Sequence, residues 1–332
     1  MGLRGRHRIG FGAWLAVVVV GVTGGSAAAA VTHASAAPLP GDPVIAAAGD
    51  IACDPAARGF HDGNGTANGC SALKTSNLLV GAPLDGVLPL GDNQYECGGL
   101  LAFQRSYALS WGRVDPAIVH PVAGNHEYET KTQDPKGTDC SATANAAGYF
   151  AYFGAAAGNP GQGYYSYDIG AWHLIALNAN CKFVPCKAGS AQELWLKSDL
   201  QSHANQCTLA YWHQPRFSSG SGGGTSSVGA FWNDLYANHA EIVLNGHLHT
   251  YERFAPLNPS GAVDNTNGIR EFIVGTGGDN HGKFKTIHAG SQVRNTTTYG
   301  VLELTLGADS YSWSFVPVTG GTFTDSGTTD CH

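Results

Sequence analysis

The stretch DGVLPLGDNQYE, Asp85–Glu96, has a pattern that recurs along the chain: an apolar run, a glycine, then side chains able to hold a metal ion. Val44–Asp50 closes on Gly49-Asp50, and Ile118–Asn125 leads into Gly124-Asn125-His126-Glu127. Thr208–His213 closes on Trp212-His213, and Glu241–His247 leads into Gly246-His247-Leu248-His249. Trp172–Asn178 and Glu271–Gly275 are further runs of the same kind. Continuous apolar runs rich in β-branched residues suit strands buried on both faces. Helical patterns fall between them. Ser190–Ser202 is the best, with Ser190 and Glu193 spaced as a capping box and Leu194, Leu196 and Leu200 apolar. Ser71–Val80 and Val228–Asn238 are weaker, and Tyr299–Val318 alternates as a terminal hairpin does. The expectation is an α/β fold with mixed β-sheets packed together and flanked by helices.

In such folds, sites form beyond the carboxyl ends of the strands. The loops would thus deliver Asp50, Asp92, Tyr95, Asn125, His213, His247 and His249 to one crevice. Carboxylate, imidazole and phenolate donors suit Fe, Mn or Zn. The set exceeds what one tetrahedral ion needs and fits two ions sharing a carboxylate. On an extended segment, His247 and His249 point the same way and can address adjacent ions.

These blocks resemble the signature of calcineurin-like metallophosphoesterases. Tyr95, the segment His247–Arg253 and Gly275-Thr276-Gly277-Gly278 are similar to the purple acid phosphatase branch. The resemblance covers roughly Val44–Gly282 and implies an αββα sandwich. It also implies two metal ions. One, ferric, would be held by Asp50, Tyr95, His249 and bridging Asp92. The other, a divalent Fe, Zn or Mn, would be held by Asn125, His213, His247 and Asp92. Many superfamily members carry a His where Ala52 stands, and Tyr95 supplies the replacement ligand. The branch more often has Gly at that position.

The resulting expectation is a metal-dependent, acid phosphatase-like hydrolase that cleaves phosphate monoesters with a metal-bound hydroxide. His126 is the candidate general acid, with Glu127 orienting it. Arg216, Arg253 and His281 are candidate substrate contacts. The bland readings are an Arg253–Glu252 ion pair and ordinary surface positions for Arg216 and His281. His120 and His173 read as core histidines, and the Gly/Ser stretch 218–229 as a lid or a passive loop. Two alternatives stand beside the monoesterase: a phosphodiesterase acting on nucleotides or phospholipid head groups, and a catalytically silent exported binder of metal or phosphate.

Residues 1–36 read as a signal peptide. Arg4, Arg6 and Arg8 precede an apolar run from Ile9 to Val22, and Ala34-Ser35-Ala36 is a cleavage motif. One catalytic domain is expected over 41–332, secreted and without stable membrane association after cleavage. Removing residues 1–36 leaves 15 basic and 25 acidic side chains, a net charge of −10. That balance argues against general nucleic-acid binding and docking on anionic lipid. The partner expected is a small phosphate ester. The 8 cysteines all follow the signal segment, which points to disulfides. Proximity pairs Cys53 with Cys70 and Cys181 with Cys186.

Overall fold

A computed structural model describes residues 39, 41–129, 144–203 and 207–332. The expected signal peptide over 1–36 lies outside the described residues. The strands are β1 (Val44–Ala48), β2 (Gly86–Pro89), β3 (Tyr165–Ile169), β4 (Trp172–Ala176), β5 (Cys207–Tyr211) and β6 (Ile242–Asn245). They continue as β7 (Tyr251–Phe254), β8 (Arg270–Val274), β9 (Ser291–Asn295), β10 (Gly300–Leu306), β11 (Ser310–Pro317) and β12 (Ser326–Asp330). The helices are α1 (Ala72–Ser76), α2 (Leu100–Arg105), α3 (Asn125–Tyr128), α4 (Ala147–Phe153), α5 (Ala191–Ser202) and α6 (Gly229–Ala237).

Two mixed sheets form, as the apolar runs imply. One has the order β12-β11-β10-β1-β2, the other β3-β4-β5-β6-β8-β7-β9. In the first, β1 and β2 are parallel; in the second, β4, β5, β6 and β8 are. Side-chain alternation explains why these strands are apolar throughout. Leu174, Leu209, Leu244 and Phe272 join a core shared with β1, β2, β10 and β11. Their neighbours Ile175, Ala210, Val243 and Ile273 face the opposite way, onto Leu196 and Leu200 of α5 and Phe231, Trp232 and Leu235 of α6. Helix α5 begins where expected: the Ser190 hydroxyl accepts from the Glu193 N–H. The other half of the capping box is displaced, because the Glu193 carboxylate takes the Gly189 N–H and the Lys197 ammonium instead.

The run Ile118–Asn125 is not the strand its composition suggests. Only single bridges form, Val87 to Val119 and Leu90 to Val122. Pro121 has no N–H to donate, and the adjacent donors of His120 and Val122 serve Val87 and Pro89. Disulfides join Cys53 to Cys70 and Cys181 to Cys186, as proximity suggests. Cys207–Cys331, which spans 124 residues, had no local signal. Among the described residues no helix is long and apolar enough to cross a membrane.

Candidate metal centre

The carboxyl ends of the parallel strands meet where the two sheets abut. The Gly49 N–H donates to the Val274 carbonyl at 2.8 Å, and the Gly277 N–H donates to the Gly49 carbonyl at 2.8 Å. Asp50 and Asp92 leave β1 and β2 there, and His213 and His247 leave β5 and β6. Asp50, Asp92, His247 and His249 all have positive φ, at 59°, 46°, 75° and 51°. That conformation costs side-chain-bearing residues roughly 1–3 kcal/mol each, and its clustering is typical of functional sites. Close approach also needs glycine at 124. A Cβ there would fall 2.1 Å from both the backbone nitrogen and Oδ1 of Asp92.

The side chains form two adjoining groups. In one, Oη of Tyr95 lies 3.0 Å from Oδ1 of Asp50 and 3.0 Å from Nε2 of His249. In the other, Nε2 of His213 lies 3.0 Å from Oδ2 of Asp92 and 3.2 Å from Nδ1 of His247. Oδ2 of Asp92 belongs to both, because it is also 3.3 Å from Oη of Tyr95. Donors held about 2.1 Å from one ion at tetrahedral or octahedral angles lie roughly 3.0–3.4 Å from one another, so this spacing suits coordination. Oδ1 of Asn125 is shut off from solvent with no hydrogen-bond partner. An unpaired amide oxygen costs about 1–3 kcal/mol, and a cation would satisfy it. The donor set therefore fits two metal ions.

Neighbouring atoms aim these donors. Nδ1 of His213 donates to the Leu90 carbonyl at 2.8 Å, and Nδ1 of His249 to Oδ1 of Asn280 at 3.0 Å. Each leaves Nε2 facing the centre, as outer partners of metal-bound histidines do. The spare carboxylate oxygens take backbone donors: His126 N–H on Oδ1 of Asp92 at 2.8 Å, His247 N–H on Oδ2 of Asp50 at 2.7 Å.

Charge is concentrated here. Burial alone would raise Asp50 and Asp92, but the charges of His249 and His213 hold both carboxyls below the usual range. Burial opposes charge on the imidazoles as well. Asp92 nevertheless pushes His213 up to about 9, and Asp50 pushes His249 up to about 10. Burial and the charge of His213 press His247 down to about 4. Burial, then the carboxylates of Asp50 and Asp92, lift the Tyr95 phenol well above its ordinary 10.0. The centre thus demands positive charge.

His126 lies at the mouth, with Nε2 4.0 Å from Oδ2 of Asp92. The expectation that Glu127 orients this ring gives way. Nδ1 of His126 donates to the Glu96 carbonyl at 2.7 Å. Buried Glu127 instead accepts the N–H groups of Gln94 at 3.1 Å and Gly124 at 2.6 Å, tying two ligand loops together. Burial and the Asp92 charge raise its carboxyl to about 7.

Each of the remaining candidates packs against an aromatic ring, and His281 lies close enough to His249 to feel its charge. Arg253 is held by Asp325, at 2.7 and 3.1 Å, and lies 5.0 Å from the Trp313 ring centre. Its expected partner Glu252 instead accepts the Ser219 N–H. Arg216 lies 4.7 Å over Phe217 with Nε buried and unpartnered. His281 stacks on Tyr299 at 4.0 Å, also with a buried, unpartnered Nδ1. The 218–229 stretch is pinned rather than loose: Ser221 N–H donates to the Lys283 carbonyl and Thr225 N–H to the Pro215 carbonyl. His173 is a satisfied core histidine, and His120 stacks on Tyr167 at 3.9 Å. Asn280 and Asp279, which adjoin His249, went unnoticed in the sequence. Their signal was the Gly-rich block that precedes them.

Residues 44–251 match the family model described as calcineurin-like phosphoesterase. Purple acid phosphatase 15 of Arabidopsis thaliana is 29% identical over 195 residues, which cover 54% of this chain and 34% of that protein. The chain thus spans about a third of the length of that curated relative. Among solved structures, purple acid phosphatase PPD1 from yellow lupin seeds matches with a TM-score of 0.67 at 20% identity, over 89% of this chain and 55% of that one. GAP50 of Plasmodium, the anchor in its inner membrane complex, matches with a TM-score of 0.60 at 13% identity, over 88% and 89%. Both structures show the shared fold.

Proposed function

Because the chain belongs to the calcineurin-like phosphoesterase family, we propose that it is an exported hydrolase that cleaves phosphate monoesters at a dinuclear metal centre. The observation that carries the reading is Oδ2 of Asp92, within 3.3 Å of both Nε2 of His213 and Oη of Tyr95. Asp50, Tyr95, His249 and Asp92 would hold one ion, ferric. Asn125, His213, His247 and Asp92 would hold the other, a divalent Fe, Zn or Mn. Bound there, the pair supplies Lewis acidity toward the phosphoryl oxygens and a water of lowered pKa.

The chain's own residues do the rest. With Nδ1–H engaged by the Glu96 carbonyl, the His126 ring presents Nε2 to the substrate side, where a proton on it serves the leaving oxygen. Burial works against that proton, but Asp92, the Glu96 carbonyl and Glu129 together raise the ring's pKa. Glu127 fixes the spacing of the Asp92 and Asn125 loops. Disulfides support passage through an oxidising compartment.

Arg253, spent on Asp325, is not available to a dianionic monoester. That observation keeps the diesterase reading in the test. Purified metal-loaded protein is assayed on phenyl phosphate, glycerol 2-phosphate and bis(4-nitrophenyl) phosphate, before and after chelation. Monoester turnover that chelation removes is expected. Faster diester turnover would transfer the assignment to a diesterase, and bound metal without turnover would leave a silent binding protein.

A further inference from the structure

Strands β4 and β5 run parallel with Ala176 opposite Tyr211, so the segments carrying Asn178 and His213 leave the sheet side by side. The loop that follows Asn178 is tied to the metal-ligand segments. Nδ2 of Asn178 donates to Oη of Tyr128 at 2.8 Å, and Nδ2 of Asn180 donates to the Ala123 carbonyl at 3.2 Å. Oδ1 of Asn180 accepts from Gln214, the neighbour of His213, at 3.5 Å. The Cys181–Cys186 disulfide, closing a separation of 5 residues, fixes the loop's shape. Within it the Phe183 N–H donates to the Asn180 carbonyl at 2.8 Å.

Phe183 is 45% exposed, and no other phenylalanine among the described residues is as exposed as this. Its ring is nonetheless held: it stacks on Tyr128 with centroids 4.8 Å apart and planes 28° from parallel. Tyr128 closes the short helix that opens with Asn125 and His126. The Lys182 ammonium lies 5.8 Å from the Phe183 ring centre. A half-bare aromatic face is thus held against the end of the helix that carries Asn125 and His126, with the Lys182 ammonium over the ring.

We infer that Phe183, on the Cys181–Cys186 loop, is a specificity-determining residue that stacks against the flat aromatic leaving group of a phosphate ester, an aryl group or a nucleobase. The inference rests on the proposed phosphoesterase activity. Stacking onto a ring already held in place supplies about a 3- to 10-fold preference for an aromatic ligand over an aliphatic one. The phosphoryl end is bound elsewhere, so the effect falls on the leaving group alone.

Metal-loaded wild type, Phe183→Ala and Phe183→Trp are compared in two ways. Steady-state KM and kcat are measured on phenyl phosphate and glycerol 2-phosphate, and Kd by calorimetry for phenylphosphonate and methylphosphonate, which are not hydrolysed. Phe183→Ala should raise KM for phenyl phosphate and Kd for phenylphosphonate by about 3- to 10-fold. The aliphatic pair should stay unchanged, and Phe183→Trp should retain the preference. Equal shifts on both members of each pair, or none, would overturn the platform while leaving any measured hydrolysis intact. If no ester is turned over yet Phe183 still governs phenylphosphonate binding, the platform stands and the hydrolase reading falls.

Discussion

Oη of Tyr95 and Nε2 of His249 lie 3.0 Å apart although 154 residues separate them in the chain. Asp50 completes the cluster, accepting from the Tyr95 hydroxyl at 3.0 Å. Burial beside two carboxylates keeps the phenol protonated far into the alkaline range, so a strongly polarising cation is needed to displace that proton. Iron-loaded protein should therefore show a visible tyrosinate-to-iron absorption band. Tyr95→Phe should remove the band while leaving the circular dichroism spectrum unchanged. A band that survives this change would take Tyr95 out of the ligand set.

Asn280 acts on His249 through the far nitrogen of its ring. Loss of such a partner typically weakens metal affinity about 10- to 100-fold. Asn280→Ala should do the same, read by titrating the apoprotein with zinc. Unchanged affinity would show that the 3.0 Å contact with Nδ1 does not orient the ligand.

His126 hydrogen-bonds the bridging carboxylate through its backbone N–H at 2.8 Å while its ring nitrogen stays 4.0 Å away, so metal loading should not depend on the ring. His126→Asn should lower kcat by about 10²- to 10⁴-fold with metal content unchanged. Loss of metal together with activity would make the ring structural.

The sites most legible in the sequence were those where an apolar run met a glycine. Asp50, Asp92, His213 and His247 each follow a strand of the parallel core, and the need to bury that strand makes the run visible. Less could be read where pairing rather than composition makes the structure. β12, Ser-Gly-Thr-Thr-Asp, is polar throughout and exists because β11 supplies its ladder. Asn280 lies in a loop positioned by backbone bonds, among them Gly277 N–H to the Gly49 carbonyl and Gly282 N–H to the His249 carbonyl. Nothing in side-chain chemistry announces such a placement. Glu127 differs: its bond from the Gly124 N–H is the one a Glu at the third helical position makes to the N-cap, a signal the spacing carries, whereas its bond from the Gln94 N–H depends on the fold alone.

Away from the metal centre, His173 ties β4 to both β3 and α5. Its Nδ1 lies 2.7 Å from Asp168, its Nε2 lies 2.8 Å from Asp199, and the His203 ring stacks on it at 3.7 Å and 11° from parallel. Parallel rings cannot both place one ion in their planes, so a proton is the cation this clasp takes. Burial disfavours the imidazolium, but the two carboxylates outweigh it and raise the pKa above 6.5. A raised folded-state value means the stabilisation is complete below about 6.5 and is lost as pH climbs through the folded value. Asp199 is lowered, against burial, by His173 and Ser166, so its share is lost only in acid, below 3.8. The Tm difference between wild type and His173→Gln should therefore be largest between these limits and shrink toward alkaline pH. A difference that grows with pH would contradict a protonated clasp.

Oδ2 of Asp92 is the carboxylate oxygen that lies within 3.3 Å of both His213 and Tyr95, so removing Asp92 bears on everything else. The decisive measurement is metal content per chain by elemental analysis, for wild type and Asp92→Ala purified side by side. Two metal ions per chain in the wild type and fewer than one in the variant are expected. Two ions retained by the variant, or none bound by the wild type, would mean that Asp92 does not join two cations.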